Sequence, residues 1–300
     1  KLLARYFDTA LLLRAPLPAS LRSETLATGM AMLPPALARR AYNDLPPILL
    51  NAMIPGAGGA TAAGLFGIAR KIASIPLIVR QSFLYVLAPL ASAQAAVDRK
   101  EIAPLYSFST HLSLLLAVPL AGFLILIAAD LLTAFAPGAE AALMVLIILL
   151  AARAAEAALG PATPIIEMIG HRGLPLANSL AGLAIWLALG IWLVPEMGAT
   201  GMAIAVSAAV VLTALLAIVE LYVADRVSPF GHGFLRALFA AAACIALLWG
   251  IGELLDPFGQ RIRALSLFAL FWPTLWLALK WGLLDEDKQG LGKLAVRLRL

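Results

Sequence analysis

Apolar runs of about 20 residues recur along this chain, separated by short breaks rich in Gly, Pro or charge. A helix of that length crosses the hydrocarbon core of a bilayer, because each residue adds about 1.5 Å. The runs lack the alternation of polar and apolar residues that is typical of a transmembrane β-barrel. Hydrophobic residues make up 62% of the chain, and its mean hydropathy is +0.95, both far above a soluble domain. The sequence therefore predicts an all-α polytopic membrane protein.

We predict eight transmembrane helices in this chain. They cover residues 36–55, 62–93, 107–131, 141–160, 176–195, 200–224, 234–255 and 263–283. The chain then divides into a connector with the end of a preceding helix (1–35), a six-helix lobe (36–225), two additional helices (226–284) and a basic tail on the membrane surface (285–300). Pro46 and Pro47 are expected to kink the first span. Because the chain begins with Lys, we expect it to be the C-terminal part of a longer protein.

The basic residues indicate the orientation of the spans. One side carries Arg39, Arg40, Arg99, Lys100, Arg172, Arg226, Arg236, Lys288, Lys293, Arg297 and Arg299. The opposite turns carry only Arg261 and Arg263. Since cytoplasmic loops are enriched in Lys and Arg, the basic side and the C-terminus are predicted to be cytoplasmic. The net charge of +5 thus follows a membrane face, and we expect no nucleic-acid partner.

Three cations, Arg70, Lys71 and Arg80, interrupt the apolar run 62–93. Helical spacing places Gly67, Arg70, Ser74 and Gln81 on one stripe, with Lys71 and Arg80 on either side. A cation at mid-membrane costs roughly 3 kcal/mol, so such residues usually face a bundle interior or a water-filled cavity. We therefore predict a substrate site here. The alternative for Arg80 is that it extends to the lipid headgroups.

Two other predicted spans contribute ionisable groups at a similar depth, Asp44 on one and Arg153 with Glu156 on the other. In the functional interpretation Arg153 joins Arg70 and Lys71 in binding an anion, because guanidinium groups match phosphate oxygens. Asp44 or Glu156 would then bind a coupling proton or cation. In the structural interpretation Arg153 and Glu156 neutralise each other at i, i+3, and Asp44 pairs with Arg70 or Lys71 to join two helices.

No catalytic or metal motif accompanies these residues in the sequence. The single cysteine, Cys244, lies within an apolar run and is interpreted as a packing residue, and the three histidines are scattered. HExxH and CxxC spacings are absent from the sequence. We therefore expect neither a metal nor a cofactor, and we do not predict an enzyme.

Five segments within about residues 36–225 occur in a familiar order: LPPILLNAMIPG, GLFGIARKIASIPLIVRQSFLYVLAPLAS, FAPGAEAA, GHRGLPLANSLAG and VPEMGATGMAIAVSAAVV. They resemble the second half of bacterial polysaccharide or O-antigen flippases, which belong to the multidrug/oligosaccharidyl-lipid/polysaccharide exporter superfamily. The resemblance implies a six-helix C-lobe facing an N-lobe across a central cavity. The two additional helices would match those of members with fourteen spans.

The resemblance also implies a function and partners. Such flippases move lipid-diphosphate-linked oligosaccharide across the cytoplasmic (inner) membrane for lipopolysaccharide and other surface polysaccharides, alongside polymerases and glycosyltransferases. Basic cavity residues are thought to hold the diphosphate, and Arg70 is the best match, with Lys71 and Arg80 weaker. This chain departs from the pattern because the first lobe is absent, so alternating access requires that lobe or a second chain.

Three alternatives remain open at this point. A drug or cation antiporter of the same superfamily would favour an acidic chamber, whereas basic groups prevail here. A polysaccharide polymerase or glycosyltransferase needs large extramembranous loops for acid–base or metal chemistry, and the loops here are short. A membrane scaffold without transport activity gives no reason for cations at this depth.

Overall fold

Helices make up nearly all of the secondary structure in the computed structural model, which describes residues 19–79, 81, 102–169 and 173–300. No β-strand occurs in these ranges. The helices are α1 (Ala19–Asp44), α2 (Pro46–Met53), α3 (Ala57–Ala73), α4 (Ile102–Leu126), α5 (Ala128–Phe135), α6 (Leu143–Ala158), α7 (Ala162–Met168), α8 (Gly173–Asp225), α9 (Phe234–Leu255), α10 (Gln260–Gly282), α11 (Asp285–Leu291) and α12 (Lys293–Leu298). The predicted all-α class is confirmed for this part of the chain.

Six of the described helical segments are long and apolar enough to cross a membrane. They are Ala57–Val79, Ile102–Leu126, Ala139–Ala158, Gly173–Asp225, Phe234–Phe258 and Ile262–Gly282. A multi-pass membrane protein is thus supported by helix length and composition. The predicted first span, 36–55, is not among the six, and the count of eight stays a prediction.

Helix α8 is a hairpin of two limbs. Gly198 has φ 54° and ψ −129°, which interrupts the helix between residues 173–197 and 199–225. The limbs lie side by side, because Asn178 near one end bonds Glu220 near the other and the Trp186 indole N–H points at the Met202 sulfur, 3.3 Å away. A glycine fits this position since it adopts positive φ without a Cβ clash. The sequence placed this turn correctly, between predicted spans 176–195 and 200–224.

The predicted kink in the first span is present as a break at Leu45, between α1 and α2. Pro46 and Pro47 open α2, where the missing proline N–H costs no helical hydrogen bond. The predicted start of this span at residue 36 is not observed, because α1 is described from Ala19 and contains Pro34 and Pro35.

The central helix of the described bundle is α4, and not the cation-bearing run 62–93 for which the sequence predicts a substrate site. Helix α4 is largely buried and packs against α6, α9 and α10. Helix α3 lies nearer the outside, and apart from Gly59 near its start it buries the stripe formed by Phe66, Ala69, Ile72 and Ala73. It begins at Ala57, five residues before the predicted start, because Gly56 at φ 70° ends the preceding turn. Residues 80 and 82–93 lie outside the described part.

The connection between α6 and α7 packs closely against α4. Gly160 has φ 77°, and a Cβ built there would lie 2.2 Å from the Thr110 hydroxyl oxygen. The chain therefore needs glycine here both for its backbone angle and for its close approach to α4. The sequence predicts a span over 141–160 that runs on past Pro161 and Pro164, but the helix ends at this break and α7 is a separate short helix.

Candidate functional site

A polar cavity of about 660 Å³ opens among α1, α3, α6, α7 and α8. Its wall combines charged groups with small and apolar residues. It is lined by Arg39, Tyr42, Asn43, Asp44, Arg70, Lys71, Ser74, Leu77, Gln81, Arg153, Glu156, Gly160, Thr163, Pro164, Glu167, Val210, Thr213 and Ala214. The structure thus brings together Arg70, Lys71, Arg153, Asp44 and Glu156, the predicted site residues that it describes. Arg80 lies outside the described residues.

Helix α3 carries Arg70 and Lys71 to the cavity because its apolar stripe is fixed against the bundle. Ala69 and Ile72 are buried, and Arg70 follows Ala69 by about 100° around the helix. From Ala57, where the helix begins, Arg70 lies thirteen residues along, which is about 20 Å. Arg70 therefore lies farther from the start of its helix than the eight residues counted from the predicted start at residue 62.

Arg70 pairs with Asp44, as the structural interpretation of the sequence expected. Its Nη1 lies 2.7 Å from Asp44 Oδ1, and the same Nη1 donates to the backbone carbonyl of Asn43. The pair joins α3 to the end of α1. The Asp44 side chain is 57% exposed, so water screens the attraction and the pair contributes only about 0–1 kcal/mol. An incoming anion therefore meets a weak competitor for Arg70.

Arg153 and Glu156 form the second pair, also expected from their i, i+3 spacing. Arg153 Nη1 lies 2.8 Å from Glu156 Oε2, and the two side chains are only 13% and 12% exposed. Arg153 Nη2 also donates to Asn43 Oδ1 at 2.9 Å, which links α6 to α1. This guanidinium is thus held more tightly than that of Arg70. Both expected pairings are present and both border a cavity, but Asp44 is exposed and is not the buried partner that the sequence predicts.

Three cavity residues were missed by the sequence analysis as site residues. Arg39 was counted among the basic residues of the cytoplasmic side, but its guanidinium pairs with Glu167 of α7, and both side chains are 28% exposed. Asn43 contacts Arg70 and Arg153, yet a neutral amide next to Asp44 gave no signal in the sequence. The i, i+4 spacing of Arg39 and Asn43 on one helix face is the pattern that could have grouped them.

Cations outnumber carboxylates in the cavity wall. Arg39, Arg70, Lys71 and Arg153 face Glu167, Asp44 and Glu156. Each arginine has its own carboxylate partner. Lys71 has no ion pair within the described residues, and its side chain is exposed at the cavity. Among the described residues the wall thus carries a formal excess of one positive charge, that of the Lys71 ammonium group.

The described residues include no group of three or more His, Cys, Asp or Glu that could hold a metal ion. Cys244 is buried between α9 and α10, away from this cavity. No protein-family model matches this chain, and no curated protein matches it.

Proposed function

We propose that this chain is the C-terminal part of a flippase that moves a lipid-diphosphate-linked oligosaccharide across the bacterial cytoplasmic membrane by alternating access. The observation that carries the proposal is the basic cavity among apolar helices. Arg70, Lys71 and Arg153 reach it from two helices that are each long enough to span a membrane. Charged side chains within such helices are costly unless they face a hydrated hollow.

The charge of the cavity favours an anionic ligand over an organic cation. All three of its carboxylates are engaged with arginines, whereas Lys71 has no ion pair among the described residues. Each guanidinium has five N–H donors, and the ion pairs use only some of them. A diphosphate can therefore bind to Lys71 and to the remaining donors. The drug or cation antiporter is the weaker alternative, because its substrate would have to displace arginines from these carboxylates.

The proposed transport cycle needs more than the cavity. The oligosaccharide and the diphosphate occupy the cavity while the lipid tail stays in the bilayer, and a first lobe supplied by the same protein completes the chamber. Asp44 and Glu156 are the candidate coupling groups, because each is paired with a cavity arginine and uptake of a proton or cation by the carboxylate would weaken that pair. The eight spans, the cytoplasmic C-terminus and the contact with polymerases or glycosyltransferases belong to the same proposal.

Export of a surface glycan tests this function. In cells that depend on this protein, we expect Arg70→Ala to stop export while the protein remains in the membrane at its normal abundance. The matched control is Arg40→Ala, because Arg40 is exposed on α1 and does not line the cavity. Normal export by Arg70→Ala at normal abundance would show that Arg70 is not part of the site. If cells that fail to export do not accumulate the lipid-linked glycan, the flippase function is contradicted.

A further inference from the structure

Asn43 forms hydrogen bonds with three arginines that line the cavity, Arg39, Arg70 and Arg153. Its backbone carbonyl accepts from Arg70, its side-chain Oδ1 accepts from Arg153 at 2.9 Å, and its Nδ2 donates to the backbone carbonyl of Arg39 at 2.8 Å. Arg70 is on α3 and Arg153 on α6, so two helices that are distant in sequence meet at a single residue of α1. The guanidinium groups of Arg70 and Arg153 therefore both donate hydrogen bonds to the same residue.

The amide of Asn43 has only one orientation that satisfies these partners. A backbone carbonyl only accepts and a guanidinium only donates, so Nδ2 must face Arg39 and Oδ1 must face Arg153. Reversing the amide would place N–H groups against a guanidinium and an oxygen against a carbonyl. The side chain is therefore fixed from both sides and holds Arg153 in a defined position relative to Arg70.

The neutral side-chain amide of Asn43 holds the Arg153 guanidinium without cancelling its charge. Oδ1 accepts a hydrogen bond from Arg153, yet it adds no negative charge to the cavity wall. An aspartate at the same position would keep the acceptor but raise the number of carboxylates to that of the cations. Asn43 thus keeps the Arg153 guanidinium near that of Arg70 and leaves the positive charge of Lys71 uncompensated among the described residues of the wall.

We propose that Asn43 is a positioning residue that presents Arg70 and Arg153 together to one ligand and so makes the cavity prefer two adjacent phosphate groups over one. The inference rests on the anion-carrying function proposed above. Two phosphates in one ligand place two sets of oxygens within bidentate reach of neighbouring guanidinium groups. A single phosphate engages only one such set, and loss of the Asn43 side chain affects it less.

Isothermal titration of the purified full chain with inorganic pyrophosphate and with orthophosphate measures this preference. For Asn43→Ala we expect about a tenfold loss of pyrophosphate affinity and a smaller loss for orthophosphate, so that the ratio of the two affinities falls. A merely structural role would change both affinities alike. The control is Asn51→Ala, because Asn51 is exposed on α2 and does not line the cavity.

Asn43→Asp is the second variant: aspartate keeps the shape and the Oδ1 acceptor for Arg153, and it replaces the N–H donor to the Arg39 carbonyl with a carboxylate oxygen. We expect it to weaken the binding of both anions by adding a fourth carboxylate. An unchanged affinity ratio in Asn43→Ala, or unchanged affinities in Asn43→Asp, would overturn the role of Asn43 and leave the proposed function intact. A wild-type chain that is folded but binds neither anion would instead overturn the anion-carrying function.

Discussion

His111 Nδ1 lies 3.0 Å from Asp287 Oδ2, although the two residues are 176 positions apart in the chain. The pair fastens α11 of the C-terminal tail to the central helix α4, and its side chains are only 2% and 8% exposed. The same Asp287 oxygen accepts from the backbone N–H of Leu284 at 3.1 Å. On the other side of the imidazole, Nε2 is 3.4 Å from the Ser107 hydroxyl. The tail is therefore anchored to the helical bundle by a buried polar network.

Removal of this anchor is expected to lower stability. Asp287→Ala leaves the His111 imidazole buried without its carboxylate partner, and breaking a buried pair of this kind costs about 3 kcal/mol. We expect a lower midpoint of thermal unfolding for the detergent-solubilised protein. Asp285→Ala is the matched control, because Asp285 is 95% exposed and its contact with Lys288 is 3.7 Å long. Equal midpoints for the two variants would show that the network does not anchor the tail.

The glycine at the α6–α7 break allows a second stability prediction. Gly160→Ala places a methyl group 2.2 Å from the Thr110 hydroxyl oxygen and forces alanine into φ 77°. Gly138→Ala has a similar backbone angle, φ 80°, but its methyl group meets nothing within 4 Å. We expect Gly138→Ala to cost about 1 kcal/mol from the backbone alone. Gly160→Ala should cost clearly more, since α4 and the break must also move apart.

The comparison uses the thermal midpoints of both variants in the same detergent. Pyrophosphate titration of Gly160→Ala adds a functional measurement, because Gly160 lines the cavity and Gly138 does not. A Gly160→Ala variant as stable as Gly138→Ala would contradict the close contact between the break and α4.

Removal of a cavity carboxylate should strengthen anion binding. Glu156→Gln and Asp44→Asn each delete a competitor for a guanidinium and raise the positive excess of the wall. We expect a several-fold gain in pyrophosphate affinity, of the order of 1 kcal/mol. The gain for Asp44→Asn should fade in 0.5 M salt because the Asp44 side chain is 57% exposed, while the gain for Glu156→Gln should persist because the Glu156 side chain is only 12% exposed. Titration at low and high salt measures the difference.

Glu156→Gln and Asp44→Asn also test whether a proton or cation is coupled to export. If one carboxylate binds the coupling proton or cation, its amide variant should bind the anion more tightly and yet export less glycan. The other variant should export at the normal rate. Weaker anion binding by both variants would contradict the competition described here.

Cysteine labelling tests the predicted orientation. In a Cys244→Ser background, a cysteine at Gly58 should react with a membrane-impermeant maleimide from outside the cell, and a cysteine at Asp285 only after the membrane is opened. Both residues are exposed. Gly58 accommodates a Cβ at 3.5 Å from Ile54, whereas the neighbouring Gly59 does not, because its Cβ would lie 2.4 Å from a carbonyl oxygen. The reverse labelling pattern would place the C-terminus outside.

Helix class and several boundaries could be predicted because they depend on local composition. Helix α9, Phe234–Leu255, has the bounds that were predicted, since charged and glycine-rich segments end its apolar run on both sides. The pairing of Arg153 with Glu156 was also accessible, because i, i+3 neighbours share one helix face. The start of α1 could not be predicted, because a proline inside a helix usually indicates a helix boundary, whereas Pro34 and Pro35 lie within α1.

The partners within the site could not be predicted in this way. Arg39 meets Glu167 across 128 positions, and Arg153 meets Asn43 across 110. Helix spacing along one segment carries no information about which other helix lies beside it. Asn43 was missed for a further reason, because a neutral amide adds neither charge nor hydropathy contrast to its segment.

Apolar helices interrupted by a few cations could be predicted from the sequence, because helix length and side-chain periodicity are properties of short segments. The packed structure was needed to show that Arg70 and Arg153 both contact Asn43 beside a cavity, that Lys71 has no ion pair among the described residues, and that the tail is anchored through His111. Those relationships depend on how the helices pack, and packing is fixed by contacts between segments that lie far apart in the chain.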